Sequence, residues 1–292
     1  GRPAAARVAA VPPLERIRYP WASKPSARGS RPSLSDTLRR AVRAMAAELA
    51  VEEPTYEADR LPPVPSPPST MTIIEPDQEP PSPLDVDALD PESLRSGPTE
   101  ATRRLVLLHG WGADADDLLD LGREVVDASV SIVALRAPWP HPIGMGRQWY
   151  DLQQPNWPDL PESRQRLRDR LLALGRSVPL EATALLGFSQ GAAMALDVGC
   201  GDEGASEGLP LASLVACSGY PHPGWTPRRP RPAVLLTHGR QDPVVPFAAC
   251  EALEQMLRQT GGSVERLEFA GGHGIDPALF PAIRTALANG WS

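Results

Sequence analysis

The sequence predicts an α/β fold with a mostly parallel central sheet and helices on both faces. Short apolar runs of the kind buried in parallel sheets recur after residue 100 and alternate with amphipathic segments. Several of the runs end in glycine-containing turns that carry polar, chemically competent residues. The predicted strands are 103–109, 129–135, 184–188, 211–217, 232–239 and 264–269; the predicted helices are 114–127, 161–174, a segment after residue 189, 247–259 and 277–287.

Composition divides the chain at about residue 100. Eighteen of the 35 prolines precede residue 101, and the net charge is +7 over residues 1–50, −10 over residues 51–100 and −4 over the remainder. We therefore expect residues 1–100 to be a Pro-rich, largely disordered region with a candidate amphipathic helix at 34–53, and residues 101–292 to form a folded domain. The moderately acidic domain is a poor fit to a phosphate backbone, which argues against nucleic-acid binding.

The cysteines and the apolar runs bear on the compartment. Cys200, Cys217 and Cys250 are odd in number and form no CxxC motif, which argues against a disulfide framework and favours a reducing environment. No apolar run approaches the roughly 18 residues of a membrane span, and the N-terminus lacks the apolar core of a secretion signal. We expect a cytoplasmic protein without stable membrane insertion. The chain starts at Gly1, and we hypothesise that the functional protein begins near Met71.

The stretch from Ala184 to Ala193 carries the clearest chemical signal. An apolar run ends there at Ser189, between Gly187 and Gly191, and continues as a helix of small residues. This spacing is typical of a nucleophile elbow, a strand-to-helix turn that strains the serine backbone and leaves its hydroxyl projecting above the sheet. A Gly-Ser turn without chemistry is the alternative interpretation of this motif taken alone.

Two further candidate residues follow later strands. Asp242 lies in the loop past the strand at 232–239, and His273 lies in a glycine-rich turn past the strand at 264–269. Active sites of open parallel sheets form at the carboxyl ends of the strands, so both side chains are expected to meet Ser189 there. The chain order Ser189, Asp242, His273 is the one expected of an α/β-hydrolase, and it predicts a catalytic triad.

The turn His109-Gly110-Trp111-Gly112 follows the first strong apolar run. A His-Gly-x-Gly turn at this place predicts one half of an oxyanion hole, the other half being the amide after the nucleophile. We assign the two donors to the backbone N–H groups of Trp111 and Gln190. His109 itself is expected to brace the turn by hydrogen bonding rather than to act as a base.

The loop at 136–151 is long for a connection and rich in aromatic residues and prolines. Such rings beside a nucleophile would suit an apolar substrate pocket, and we assign Trp139, Met145 and Trp149 to it. Ordinary packing of the loop on the domain is the alternative.

Residues from about 102 to 290 resemble the phospholipase/carboxylesterase group of α/β-hydrolases, which includes the acyl-protein thioesterases. The resemblance implies a serine esterase without a separate lid domain, acting on a small-molecule ester and needing no metal or cofactor. The segment from His141 to Gly146 looks shorter than the lipid-facing loops of eukaryotic thioesterases, which favours a bacterial-type carboxylesterase for small to medium acyl chains. The matching stretches are 108–112, 149–151, 187–191, 238–246 and 272–273.

Other functions are compatible with the same residues. Acyl-protein thioesterase or lysophospholipase activity would use the same triad, and a peroxidase or acyltransferase would differ only in the acceptor. A non-catalytic binding protein of this fold would usually have lost a triad member, and all three residues are present here. The sequence leaves a thioester preference and the choice between monomer and homodimer open.

Overall fold

The computed structural model describes residues 93–142, 146–202, 206–228 and 232–292. The candidate helix at 34–53 and Met145 lie outside these ranges. Seven strands form one sheet: β1 (Ser93–Ser96), β2 (Arg104–Leu108), β3 (Ser131–Leu135), β6 (Thr183–Phe188), β7 (Ser213–Cys217), β8 (Ala233–Gly239) and β9 (Val264–Phe269). Two short strands, β4 (Trp139–Pro140) and β5 (Arg147–Gln148), pair as an antiparallel hairpin.

The strand order in the sheet is β1-β3-β2-β6-β7-β8-β9. β1 pairs antiparallel with β3, and every other pairing is parallel. From β2 the chain moves to β3 on one side, and it returns later to β6 on the other side. The carboxyl ends of β2 and β6 therefore flank the point where the strand order reverses, which is where open α/β sheets bind ligands.

Helices cover both faces of the sheet. Along β2, Val106 and Leu108 belong to one apolar cluster, and Leu105 and Leu107 belong to the other, as the two-residue period of a strand requires. The first cluster includes residues of α2 (Leu160–Leu174), α3 (Gln190–Cys200) and α4 (Phe247–Gln259), and the second includes residues of α1 (Leu119–Val125) and α5 (Phe280–Gly290). In the part of the chain that the structure describes, no helix has the combined length and apolar character needed to cross a membrane.

The predicted α/β architecture with a mostly parallel sheet is confirmed, and the ends of the six predicted strands agree within two residues. The boundary expected at residue 100 is too late, because β1 begins at Ser93 and belongs to the sheet. β1 reads Ser-Leu-Arg-Ser and has no apolar run. As an edge strand it needs a backbone ladder rather than two buried faces, so its sequence carries no strand signal.

Candidate active site

Ser189 lies in the tight turn between β6 and α3. Its backbone has φ 54° and ψ −116°, a strained conformation for a residue with a side chain. A Cβ atom at Gly187 would lie 2.4 Å from the Gly191 carbonyl oxygen, and one at Gly191 would lie 2.1 Å from the Leu108 carbonyl oxygen. Both positions therefore require glycine. The strained elbow predicted from the sequence is present, at the carboxyl ends of β2 and β6.

His273 joins Ser189 to Asp242. Its Nε2 atom lies 2.9 Å from Ser189 Oγ, and its Nδ1 atom lies 2.7 Å from Asp242 Oδ2. An ionised carboxylate can only accept, so Nδ1 carries the imidazole proton and Nε2 accepts a hydrogen bond from the Ser189 hydroxyl. The Phe188 ring lies against the imidazole at a centroid distance of 4.9 Å. The structure thus brings the three predicted side chains together in one hydrogen-bonded chain.

The Asp242 carboxylate is buried and held from several sides. Oδ1 accepts hydrogen bonds from the backbone N–H groups of Val244 at 2.8 Å and Val245 at 2.9 Å. His238 Nε2 lies 3.4 Å from Oδ2 but 3.0 Å from the Val245 carbonyl oxygen, so His238 is the weaker partner of the carboxylate. Burial alone would raise the pKa of Asp242, but its hydrogen bonds with His238, His273 and the Val244 N–H hold that pKa well below its usual value. Asp242 is therefore ionised where it faces His273.

His109 braces the turn that follows β2, as expected. Its Nδ1 lies 2.8 Å from the Gly110 carbonyl oxygen, and its Nε2 accepts a hydrogen bond from the Ala137 N–H at 3.1 Å. A nitrogen that accepts from a backbone N–H carries no proton, so the ring is neutral with its proton on Nδ1. Burial lowers the pKa of His109 to about 4 and outweighs the hydrogen bond to Gly110, which acts to raise it.

The β4–β5 hairpin holds the other side of this turn. The Gly112 N–H donates to the Arg147 carbonyl oxygen at 2.8 Å, and the Arg147 N–H donates to the Ala113 carbonyl oxygen at 2.7 Å. The Trp111 indole N–H donates to Gln148 Oε1 at 2.9 Å. Backbone and side-chain bonds therefore fix the orientation of the Trp111 peptide.

Gln190, the first residue of α3, is fixed through its side chain. Oε1 accepts from the Trp149 backbone N–H at 2.9 Å, and Nε2 donates to the Tyr150 carbonyl oxygen at 2.8 Å. Within the described ranges, neither the Gln190 nor the Trp111 backbone N–H donates a hydrogen bond to a protein acceptor. The assignment of these two N–H groups as oxyanion donors therefore stays a prediction.

The aromatic residues assigned to a substrate pocket occupy different surroundings. Trp149 is 0% exposed, and its indole N–H donates to the His109 carbonyl oxygen at 2.9 Å. The ring is therefore part of the packing behind the turn, and the expectation that it lines a pocket is wrong. Trp139 donates to Ser163 Oγ at 3.0 Å and lies under the Arg166 guanidinium at 4.8 Å, so it contacts α2. Met145 lies outside the described residues.

Sequence analysis missed a set of buried polar side chains behind Gln190. These are Asp197 on α3, Tyr150 after β5, and Tyr220 and His222 after β7. A signal existed for Asp197, because it is the single charged residue of a helix whose eleven residues are all buried. A buried charge needs a partner, but its sequence neighbours do not indicate which residue supplies it.

The arrangement has the parts needed for acyl transfer. A serine hydroxyl donates to an imidazole that an ionised carboxylate orients, and the backbone N–H groups of Trp111 and Gln190 have no protein acceptor within the described ranges. The described residues contain no group of three or more His, Cys, Asp or Glu side chains positioned to hold a metal ion.

Comparison with known proteins agrees with this fold. The family model of the phospholipase/carboxylesterases matches residues 90–289. An esterase of Escherichia coli K12, YpfH, is 28% identical over 185 residues, covering 59% of this chain and 75% of the relative. The crystal structure of esterase PE8 superposes with a TM-score of 0.57 at 27% identity, covering 68% of this chain and 97% of that one.

A carboxylesterase from Bacillus cereus has a TM-score of 0.56 at 20% identity, with 68% of this chain and 93% of that chain covered. At that identity it is evidence for the fold alone. The family match, which spans more than half of the chain, carries the assignment. The chain therefore belongs to the phospholipase/carboxylesterase family of α/β-hydrolases and is a serine hydrolase.

Proposed function

We propose that this protein is a carboxylesterase that hydrolyses esters of small to medium acyl chains, with Ser189, His273 and Asp242 as its catalytic triad. The observation that carries the proposal is the continuous chain from Ser189 Oγ through His273 to Asp242, with distances of 2.9 and 2.7 Å. It lies at the sheet edge where the strand order reverses, and Ser189 is 7% exposed, so the hydroxyl is enclosed.

Acylation follows from this geometry. His273 Nε2 takes the hydroxyl proton as Ser189 Oγ attacks the ester carbonyl, and Asp242 stabilises the imidazolium that forms. The backbone N–H groups of Trp111 and Gln190 donate to the developing oxyanion, each contributing about 3 kcal/mol to transition-state stabilisation. His273 then gives its proton to the leaving alcohol, and the acyl group stays on Ser189 as an ester.

Deacylation repeats the same proton transfers with water. His273 removes a proton from the water as it attacks the acyl-enzyme carbonyl, and returns that proton to Ser189 Oγ when the carboxylic acid leaves. The depressed pKa of Asp242 supports this role, because its carboxylate stays ionised throughout the pH range in which esterases act.

We infer the substrate class from two relatives and from the loop after β3. Two relatives that share more than 25% identity with the chain, YpfH and PE8, are esterases, and we infer the same ester chemistry here. The loop after β3 folds back as the β4–β5 hairpin on the turn at 109–113, which supports small or medium acyl chains over a lipidated protein. Because Cys200, Cys217 and Cys250 form no disulfide bond, we also propose a cytoplasmic location.

Replacing the nucleophile tests the proposal. We expect Ser189→Ala to reduce hydrolysis of p-nitrophenyl butyrate on the order of a million-fold, while the protein stays folded. Ser213→Ala is the matched control, because it removes a buried hydroxyl that has no hydrogen-bond partner among the described residues, at the opposite end of the sheet. Unchanged turnover in Ser189→Ala would remove the proposed triad.

Three further measurements separate the alternatives. A fluorophosphonate that labels the wild type and not Ser189→Ala distinguishes an enzyme from a binding protein. A series of acyl esters and thioesters from two to sixteen carbons separates a carboxylesterase from a thioesterase or lysophospholipase. Product analysis with competing nucleophiles separates hydrolysis from acyl transfer.

A further inference from the structure

A second hydrogen-bonded chain of Asp, His and hydroxyl groups lies behind the site. His222 Nδ1 lies 2.5 Å from Asp197 Oδ2, and His222 Nε2 lies 2.9 Å from the Tyr150 hydroxyl. The Tyr150 hydroxyl is also 2.7 Å from that of Tyr220. All four residues are buried, with exposed fractions between 0% and 3%. The proposed mechanism uses none of these side chains.

The donor and the acceptor of each of these hydrogen bonds can be assigned. Asp197 Oδ2 also lies 2.7 Å from Arg164 Nη2, and the charges of this ion pair cancel. The Asp197 carboxylate accepts a hydrogen bond from His222 Nδ1. With its proton on Nδ1, His222 accepts at Nε2 from the Tyr150 hydroxyl, which in turn accepts from Tyr220. A protonated His222 would donate to the Tyr150 oxygen instead, and the hydroxyl proton of either Tyr150 or Tyr220 would then have no acceptor among the described residues.

The pKa directions agree with this assignment. Burial lowers the pKa of His222 below its usual value, against the hydrogen bond and charge of Asp197, which act to raise it. Burial likewise raises the pKa of Tyr150 well above its usual value. His222 and Tyr150 are therefore neutral. The hydrogen-bonded series Asp197–His222–Tyr150–Tyr220 is a fixed structural element rather than a site of proton exchange.

Through Tyr150, these hydrogen-bonded side chains are connected to both halves of the proposed oxyanion hole. The Tyr150 carbonyl oxygen accepts from Gln190 Nε2 at 2.8 Å, and the preceding residue, Trp149, donates its backbone N–H to Gln190 Oε1 at 2.9 Å. The Trp149 indole N–H donates to the His109 carbonyl oxygen, in the turn that presents Trp111. The segment 149–150 thus holds Gln190 on one side and the turn after β2 on the other.

We propose that His222, oriented by Asp197, is a positioning residue that anchors Tyr150 through its hydroxyl and thereby sets the geometry of the oxyanion hole. This inference rests on the proposed function. The anchor matters because the side chain of Tyr150 has no other hydrogen-bond partners within the described ranges than His222 and Tyr220. Donors displaced by as little as about 1 Å lose much of their contribution to a transition state while binding the ground-state ester almost as well.

Tyr150→Phe tests the proposal, because it removes one oxygen atom and keeps the aromatic packing against Trp157 at 5.1 Å. We expect kcat for p-nitrophenyl butyrate to fall about tenfold with KM nearly unchanged, and the inhibition constant of an alkyl trifluoromethyl ketone to weaken by the same factor. The ketone adduct on Ser189 carries the oxyanion, whereas the ester ground state does not. Unchanged kcat and unchanged ketone inhibition in Tyr150→Phe would overturn the proposal.

A matched control separates positioning from loss of stability. Thr183→Val removes another buried hydroxyl, which donates to the Pro179 carbonyl oxygen at 3.0 Å at the start of β6, far along the strand from Ser189. We expect Thr183→Val to lower the melting temperature without changing kcat. If it reduces kcat as much as Tyr150→Phe does, the effect is one of general stability and the proposal is wrong.

A background substitution tests the route through Gln190. Gln190→Met keeps the length of the side chain and removes both of its hydrogen bonds to residues 149 and 150. In that background Tyr150→Phe should lower kcat by less than about twofold, because the connection is already broken. A full additional tenfold loss would overturn the transmission through Gln190.

A second pair of variants covers the case in which Tyr150→Phe does not fold. His222→Gln places an amide where Nε2 lies and keeps an acceptor for Tyr150, whereas His222→Asn places it where Nδ1 lies. We expect His222→Gln to keep kcat within about threefold of the wild type and His222→Asn to lose about tenfold. Equal kcat in the two variants would contradict the proposal. Fluorophosphonate labelling of wild-type Ser189 tests the triad separately. If labelling fails, the proposed function is wrong; if labelling succeeds and the variants do not behave as expected, only the positioning role of His222 is wrong.

Discussion

His109 offers a pH-dependent test of how the turn after β2 is built. The buried imidazole is neutral because its Nε2 must accept the Ala137 N–H while its Nδ1 donates to the Gly110 carbonyl oxygen. His109→Gln places an amide where Nε2 lies, so it keeps an acceptor for the Ala137 N–H, loses the hydrogen bond from Nδ1 to Gly110 and does not titrate. Because the lost hydrogen bond costs the same at every pH, the difference in pH dependence between variant and wild type reports the protonation of His109.

The magnitude follows from the pKa of about 4 in the folded protein against 6.5 for the free side chain. As pH falls below 6.5, the unfolded chain binds a proton at residue 109 that the folded protein does not bind until about pH 4. The contribution to stability is thus fully present above pH 6.5 and is lost as pH falls towards 4. At about 1.4 kcal/mol per pH unit the full loss is about 3 kcal/mol, and at pH 5 it is about 2 kcal/mol.

Urea unfolding at a series of pH values from 7.5 to 5.0 measures this loss. The free energy of unfolding of the wild type should fall more steeply than that of His109→Gln, so that the difference between the two changes by about 2 kcal/mol in favour of the variant. In thermal unfolding this corresponds to roughly 4–8 °C for a domain of this size. Ser213→Ala, which adds or removes no titrating group, should follow the wild type. If His109→Gln also runs parallel to the wild type, His109 is not held neutral and the reasoning fails.

Two other predictions concern glycine 146 and the cysteines. Gly146→Ala should reduce kcat at least about tenfold and lower the melting temperature, because its φ is +74° and a Cβ there would lie 2.1 Å from the Gly112 carbonyl oxygen. Gly224→Ala is the control, because its φ is +69° and no atom lies within 4 Å of the new Cβ, and it should cost only about 1 kcal/mol of stability. Equal effects of Gly146→Ala and Gly224→Ala on kcat would refute the steric argument. Cys200, Cys217 and Cys250 are buried, and burial raises the pKa of the Cys217 and Cys250 thiols to about 12. A thiol reagent at pH 8 should therefore label the unfolded protein at three sites and the native protein at none. Rapid labelling of the native protein would contradict the buried positions of the three cysteines.

Local rules were sufficient to predict much of the site from the sequence. Gly187 and Gly191 flank Ser189 because strand and helix backbones approach too closely for any Cβ, and this requirement is visible in five consecutive residues. Asp242 and His273 each follow a strand, and parallel strands end at one edge of the sheet, so their meeting with Ser189 could be expected from topology. Their assignment as a triad still awaits the Ser189→Ala experiment.

The surroundings of individual side chains were decided only by the tertiary structure. Trp149 looked like a pocket residue in its loop, yet the folded chain buries it between Gln190 and the turn at His109, about forty residues away in either direction. The sequence indicates that Asp197 needs a buried partner, because it is a lone charge on an apolar helix. Only the structure identifies His222 as that partner. Strand and turn sequences report what the backbone must do locally, whereas the burial and hydrogen bonds of a side chain depend on which distant segments the sheet brings beside it. Sequence therefore determined the elbow and the succession of strands and helices along the chain, and tertiary packing determined the network that holds the proposed oxyanion donors in place.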